Sequence, residues 1–471
     1  MSTDTATQAP TEPPTQAPTR RLTRREQTAI VQSLGAGVVP RIGLPHIQVG
    51  RLDEVEAIVE DLKKVEEGSS TVRFVVGRFG SGKTFFLNLM RTVALERKFV
   101  VVQADITTDR RLHGTGGKAR GLYSELMNNL ATRSKPEGGA LSNLVEKWIG
   151  DKDYEIRQNG GSDDDVVDTL TEELKPLQDL VSGFDFATVL TKYYEGYLGN
   201  DDSLQECARR WLRAEYRTRT EARNDLGVRT IIDDADIYGY LKLFAAFVRI
   251  AGYAGLMVNV DELVVLSHRL NSTVSRNNNY EAILRILNDC LQGQTEGLCF
   301  MFAGTDECLE DRRRGLYSYE ALATRLAPNR FATDEMRDLS SPVIRLASLT
   351  PEDCYVLLNN IRNVFASYDE QAFLLPDEGI IQYLKNCSSR MGAAYFQTPR
   401  DTVRDYVGLL QILQQNPEAS WEQLLQSGAS TTPPKPEGSH DESDESAPIP
   451  TSTDADDDED SDDEDLADFK L

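Results

Sequence analysis

Short apolar runs alternate along the chain with stretches in which apolar residues recur at helical spacing. Five of these runs are predicted strands, at residues 71–76, 99–106, 255–260, 298–304 and 342–347. The first four are rich in β-branched and aromatic residues, which is typical of strands buried on both faces of a parallel sheet. In the stretches between these runs, the apolar residues recur at helical spacing. The pattern predicts an α/β fold, with a parallel five-stranded sheet between helices.

One connection in this pattern is much longer than the others. About 150 residues separate the second predicted strand from the third. A structureless loop of that length is uncommon in a compact domain, so residues 107–240, approximately, are predicted to form a helical insertion. Near its end, Arg209, Arg213 and Arg217 recur every four residues, which predicts one shared helical face. That face is either paired with the chain's own glutamates or makes a non-specific contact with DNA or an acidic partner.

The formal net charge of −25 is unevenly distributed along the chain. Residues 437–471 hold sixteen Asp or Glu residues and one Lys, so they alone carry −15. Residues 1–22 are rich in Pro and Thr and are predicted to form a disordered arm, and residues 429–471 a disordered acidic tail. The tail is a solubilising segment, or alternatively a docking peptide or a nucleic-acid mimic.

Several classes of protein are disfavoured by the composition. The six cysteines form no CxxC pair and the four histidines are scattered, so no metal cluster is predicted. No run reaches the roughly 18 apolar residues that a membrane helix needs, and the N-terminus lacks the apolar core of a signal peptide. The sequence therefore predicts a cytoplasmic protein with reduced thiols and no membrane contact.

The stretch "GRFGSGKT", residues 77–84, fits the phosphate-binding pattern GxxxxGK[ST] and lies between a predicted strand and a predicted helix. Its glycines would let backbone N–H groups surround phosphate oxygens at the helix N-terminus. Lys83 would reach the β- and γ-phosphates of ATP, and Thr84 would ligate Mg²⁺. The predicted nucleotide contacts in this stretch are Gly77, Arg78, Phe79, Gly80, Ser81, Gly82, Lys83, Thr84 and Phe85.

Polar residues follow the next buried strands. Asp261 and Glu262 end the third predicted strand, where Asp261 would hold Mg²⁺ through water and Glu262 would polarise an attacking water. A chance acidic pair is the alternative. Thr305 follows the fourth strand and could orient the same water. Arg325 and Arg400 lie in later helical stretches, as catalytic candidates or as ordinary surface arginines.

Together these motifs resemble those of AAA+ ATPases, nearest to the origin-recognition initiators. "HIQVGRLDEVEAIVEDL" is similar to the box that precedes the ATPase core and contacts adenine, and it nominates Val49, Gly50 and Arg51. The resemblance implies a Walker A motif at residues 77–84 and a Walker B motif at Asp261 and Glu262. It also implies sensor 1 at Thr305, an arginine finger at Arg325 in "ATRL", and sensor 2 at Arg400 in "TPRDTV". Such a finger acts on a neighbouring subunit, which implies assembly.

More narrowly, residues 24–427 resemble the P-loop ATP-binding proteins of BREX phage-exclusion systems. The stretches that carry this likeness are "SRNNNYEAILRILNDCLQG", "DRRRGLYSYEALATRL" and "TPRDTVRDYV". We expect residues 23–347 to form the AAA+ nucleotide-binding domain and residues 348–428 a C-terminal helical lid. The resemblance implies a homo-oligomer, or a hetero-complex with defence proteins that modify or unwind DNA. No winged helix is evident after the lid, so sequence-specific DNA binding is not expected.

Three functions fit these features. The first is an Mg²⁺-dependent ATPase that acts as a motor or switch in an anti-phage defence complex. The second is a scaffold or signalling protein that binds ATP with little turnover. The third is a helper ATPase of DNA replication or transposition. Glu262, Arg325 and Arg400 favour hydrolysis, whereas the acidic tail favours a scaffold.

Overall fold

The computed structural model describes residues 22–333, 336–389 and 399–429. The predicted arm at 1–22 and acidic tail at 429–471 lie outside these residues, apart from the innermost residue of each.

A five-stranded parallel sheet occupies the centre of the described residues, as the pattern predicted. Its order is β2-β3-β4-β1-β5, and every neighbouring pair is parallel. The strands are β1 (Ser70–Val76), β2 (Val100–Asp105), β3 (Leu256–Asp261), β4 (Leu298–Gly304) and β5 (Val343–Arg345). The edge strand β5 is shorter than its apolar run.

The strands are mostly apolar because both faces of the sheet are covered. Alternate residues of β4 enter two different cores: Phe300 and Phe302 pack on one side of the sheet, Cys299 and Met301 on the other. Across the sheet, Phe302 stacks on Phe74 with ring centroids 5.2 Å apart. A side-chain period of two thus places every second residue in each core.

Helices cover the two faces. On one face lie α2 (Leu52–Glu66) and α3 (Lys83–Glu96), and on the other α10 (Ile237–Ile250) and α11 (Thr273–Leu291). Two short helices follow β4, namely α12 (Asp306–Glu310) and α13 (Glu320–Arg325). Because the strands are parallel, their carboxyl ends lie together at one edge of the sheet, which these helices leave uncovered.

Six helices fill the long connection between β2 and α10. They are α4 (Lys118–Asn128), α5 (Leu141–Gln158), α6 (Asp163–Glu173), α7 (Gly183–Leu198), α8 (Asp202–Leu212) and α9 (Arg219–Leu226). Their core is continuous with the sheet, since Phe247 of α10 meets Trp148 and Phe186 edge-to-face at 5.3 and 5.4 Å. The insertion therefore extends one face of the α/β core.

The helices at the two ends of the described chain pack together. They are α1 (Arg24–Gly35), α14 (Pro351–Phe365), α15 (Asp377–Ser389), α16 (Pro399–Gln415) and α17 (Trp421–Ala429). Ile30 of α1 shares an apolar core with Leu358 and Val407. This pairing of α1 with the C-terminal helices has no counterpart in the sequence pattern.

A buried ion pair joins α2 to β1. The Arg73 Nε donates to Asp61 Oδ2 over 2.5 Å, and both side chains are under 8% exposed. Arg73 also donates to the carbonyl of Ser341, just before β5. The pair therefore links the helix layer, the central strand and the sheet edge.

We predict that Asp61→Ala lowers the free energy of unfolding by about 3–5 kcal/mol, because it leaves the Arg73 guanidinium buried without its counter-ion. Chemical denaturation measures this loss. Glu60→Ala is the matched control on the same helix, since the Glu60–Lys63 pair is exposed and should change the stability far less. Equal losses in the two variants would contradict the prediction.

Candidate nucleotide site

The loop between β1 and α3 has the backbone geometry of a phosphate cradle. Gly80 and Gly82 have φ of 78° and 88°, which residues other than glycine rarely adopt. A Cβ on Gly77 would lie 2.8 Å from the Leu346 carbonyl oxygen and 2.7 Å from Ser81 Oγ. Glycine is therefore required at all three positions, and α3 starts directly at Lys83.

Lys83 lies folded against its own loop. Its Nζ donates to the carbonyl oxygens of Gly77 and Arg78, both over 2.9 Å. Burial lowers the pKa of Lys83, and the nearby Asp261 and Glu262 oppose that shift. The ammonium group is thus held at the mouth of the cradle by weak neutral acceptors, which phosphate oxygens could replace with charged ones.

The two residues predicted to hold Mg²⁺, Thr84 and Asp261, are joined by a hydrogen bond. Thr84 Oγ1 donates to Asp261 Oδ2 over 2.8 Å. Asp261 is only 5% exposed, and burial raises its pKa, against the lowering effects of the Glu262 N–H and the Thr84 hydroxyl. A hydroxyl and a buried carboxylate are the hard oxygen ligands that Mg²⁺ prefers, so these residues fit the predicted metal.

Glu262 has an unusual backbone conformation. Its φ is 62°, in the left-handed region, and its N–H donates to Asp261 Oδ1 over 2.8 Å. For a residue other than glycine, this left-handed conformation costs about 1–3 kcal/mol, and such strain is common at functional sites. The turn leaves the Glu262 side chain exposed at the cavity, directly after the buried carboxylate.

A second carboxylate, Asp105, lies at the end of the neighbouring strand. In the β2–β3 register, Asp105 pairs with Asp261. Desolvation raises the pKa of Asp105, and Asp261 raises it further. Asp105 was not among the residues nominated from the sequence, although its position at the end of a buried strand is the same feature that nominated Asp261.

A cavity of about 530 Å³ lies over the loop. Most of the residues nominated from the sequence line it: Val49, Arg51, Phe79, Gly80, Ser81, Gly82, Lys83, Thr84, Phe85, Asp261, Glu262, Thr305 and Arg400. Four nominated residues are not in its wall, namely Gly50, Gly77, Arg78 and Arg325. Gly77 and Arg78 instead accept from Lys83 through their carbonyls.

Two of the lining residues have structural contacts of their own. Arg51, at φ 59°, donates to the carbonyl oxygens of Ser81 and Ala347 over 2.9 and 2.8 Å. It therefore ties the phosphate loop to the end of β5. Thr305 Oγ1 accepts from the Cys308 N–H over 3.2 Å and caps α12.

The two candidate arginines lie in different places. Arg400 reaches the cavity from the first turn of α16. Arg325 is exposed away from the cavity, where its Nε donates to Asn288 Oδ1 over 2.7 Å and its Nη1 to the Ala321 carbonyl over 2.9 Å. Arg325 thus lies outside the cavity of its own chain.

The apolar wall of the cavity was not predicted. It comes from both ends of the chain: Leu34, Val38, Val39 and Ile47 near α1, and Leu357, Ile361 and Val403 from the C-terminal helices. His268 and Arg269, in a π-helical turn after β3, also line the cavity. No local pattern marks these residues, because they come together only when α1 packs on α14 and α16.

The arginines of the insertion do not share a helical face, contrary to the prediction. Helix α8 ends at Leu212, and Ala214 with φ 58° turns the chain before Arg217. Arg209 pairs with Glu206 at 2.6 Å, and Arg213 lies 3.8 Å from the same carboxylate. Arg209 and Arg213 therefore pair with one of the chain's own glutamates, which was one of the two interpretations of this series.

Within the described residues, no group of three or more His, Cys, Asp or Glu side chains could hold a metal ion. All six cysteines are free thiols. Across the same residues, every helix is too short or too polar to cross a membrane.

One known protein family covers most of this chain. The family of BREX system ATP-binding proteins BrxC/D matches residues 22–429. The chain belongs to this family. Its membership supports an ATP-binding role in a BREX defence system and confirms the narrower of the two resemblances. No curated protein matches the sequence.

We predict that Lys83→Ala weakens ATP binding by at least about tenfold, because a charge-assisted contact to phosphate contributes about 1.5–3 kcal/mol. Isothermal titration calorimetry measures the affinity. Lys147→Ala is the control, since Lys147 is exposed and paired with Asp151 far from the loop in sequence. Unchanged affinity in a folded Lys83→Ala protein would contradict the assignment of the loop.

Proposed function

We propose that the protein is a cytoplasmic AAA+ ATPase that hydrolyses ATP with Mg²⁺ and acts with DNA-processing partners of a BREX defence complex. The observation that carries this proposal is the 2.8 Å contact between Thr84 and Asp261, with the exposed Glu262 directly beyond it. Family membership supports ATP as the ligand. The acidic group beside the phosphate loop supports the further step to hydrolysis.

Thr84 and Asp261 would hold Mg²⁺ between the loop and the end of β3. The ion, when bound, neutralises charge on the β- and γ-phosphate oxygens. Lys83 would exchange its two carbonyl acceptors for phosphate oxygens. The buried position of Asp261 favours this arrangement, because a cation offsets the cost of a desolvated carboxylate.

Glu262 would orient the attacking water and accept its proton. Its left-handed backbone directs the residue out of the strand while Asp261 stays buried, so the two adjacent carboxylates take different roles. Thr305, from the end of the next strand, lines the same cavity and would hold the water from the other side. Arg400 would contact the phosphates from α16.

Arg325 would complete the site of a second subunit. It is exposed, is not in the wall of its own cavity, and is held in place by Asn288 on α11. A positioned guanidinium outside its own cavity is suited to stabilise phosphoryl charge in a neighbouring molecule. The proposal therefore includes assembly of several copies, or of this chain with related partners.

We predict that Glu262→Gln binds ATP but hydrolyses it about 10²-fold more slowly than wild type, because the amide cannot accept the proton. Steady-state phosphate release measures this. Glu310→Gln is the control, since Glu310 is exposed and pairs with Arg345. Wild-type turnover in Glu262→Gln would overturn the catalytic role of Glu262. A wild-type protein without turnover would favour the scaffold function.

We predict that Arg325→Ala lowers turnover by about 10³-fold and that mixing it with Lys83→Ala restores part of the activity. Each variant supplies the group that the other lacks, across one subunit boundary. A mixture of Lys83→Ala and Glu262→Gln is the matched control and should stay inactive, because both changes fall in the same site. A monomeric protein with concentration-independent specific activity would contradict assembly.

A further inference from the structure

Exposed arginines lie on the two short segments that leave the nucleotide cavity after β3 and β4. Arg269 ends the π-helical turn that follows Glu262 and lies at the cavity rim. Arg312 and Arg313 follow α12, the helix capped by Thr305. All three side chains are exposed.

The two segments are held together by contacts of the neighbouring residues. Arg314 Nη2 donates to the Leu270 carbonyl over 3.1 Å, and His268 Nε2 lies 3.9 Å from Asp311 Oδ2. The buried Arg276 donates to the same Leu270 carbonyl over 2.8 Å. These contacts fix both backbones, so the exposed arginines project from one ordered surface.

The three arginines differ from many other exposed arginines of the chain. Arg157 and Arg345, for example, each pair with two carboxylates. Within the described ranges, no carboxylate oxygen lies within 4.0 Å of the guanidinium groups of Arg269, Arg312 or Arg313. Asp311 is adjacent, but it accepts from the backbone N–H of Arg313 over 2.7 Å and acts on that side chain only at longer range.

Such a surface suits a ligand with regularly repeated negative charge. Guanidinium groups bind phosphate oxygens through paired N–H donors. A single strand of a duplex presents one negative charge about every 3.4 Å along the axis, so neighbouring arginines can contact successive phosphates. The carboxylates of an acidic peptide lack this regular repeat on a stiff backbone, which favours nucleic acid.

We propose that Arg269, Arg312 and Arg313 form a binding surface for the phosphate backbone of nucleic acid, without recognition of base sequence. The surface lies at the carboxyl edge of the sheet, beside the ATP cavity. It is separate from the insertion, where Arg209 and Arg213 are already engaged by Glu206. Phosphate contacts alone give an affinity that depends on salt and ignores sequence.

The test uses the full chain and short fluorescent DNA, both duplex and single-stranded, in anisotropy titrations at about 50 mM salt, where phosphate contacts are strong. Arg312→Ala/Arg313→Ala should lower the affinity by about tenfold per lost contact and reduce the slope of log K against log salt by about 2. Neither residue lines the cavity, so unchanged ATP binding in this variant shows that it is folded.

Arg209→Ala/Arg213→Ala is the matched control and should bind DNA as wild type does. The proposal is overturned if neither DNA binds at this salt concentration, or if the control variant loses binding and Arg312→Ala/Arg313→Ala does not. It is also overturned if polyglutamate displaces the DNA at equal charge concentration, which would indicate an acidic protein partner. Binding is measured without turnover, so these outcomes are independent of whether ATP is hydrolysed.

Discussion

The hydrogen bond between Thr84 and Asp261 brings together the two halves of the candidate site across 177 residues of sequence. It forms only if β1 and β3 lie in one parallel sheet with their carboxyl ends at the same edge. β4 lies between them, and its register with both strands sets how far each end projects. The buried sheet is therefore what places a loop hydroxyl within 2.8 Å of a strand-end carboxylate.

The end of β3 at this edge also explains why the adjacent carboxylates of Asp261 and Glu262 have different environments. Asp261 stays in the strand and is buried, whereas Glu262 turns into the left-handed region and is exposed. The cost of that turn, about 1–3 kcal/mol, is offset by the surrounding packing. Leu263 continues the chain by donating its N–H to the Ala303 carbonyl of β4. Glu262 is thus directed outward, between Asp261 and Leu263, which are both held by the core.

The cavity is enclosed by parts of the chain that are far apart in sequence. The end of α1 supplies one apolar wall, and α14 and α16 supply another. Helix α1 and these C-terminal helices share one apolar core. Arg51 donates hydrogen bonds to the phosphate loop and to Ala347, two residues after β5, and so links the loop to the segment that leads into α14.

The sequence by itself determined the features that depend on neighbouring residues. Apolar runs gave all five strands, and the glycine pattern before Lys83 gave the phosphate loop, because both reflect burial and backbone freedom over a few positions. Asp261 and Glu262 were predictable because they end such a run. The BREX family assignment agrees with the stretches that suggested it.

Only the tertiary structure decided which distant segments meet. The apolar wall, the pairing of α1 with α16, and the position of Asp105 beside Asp261 depend on packing between elements, which local periodicity does not encode. The arginine series of the insertion failed for the same reason. Spacing predicted a continuous helix through Arg217, but burial of Trp211 and Tyr216 on either side of Ala214 favours a turn there. Contacts made at long range outweigh helix propensity at such a position, since burying two aromatic side chains stabilises the fold by more than one helical turn does.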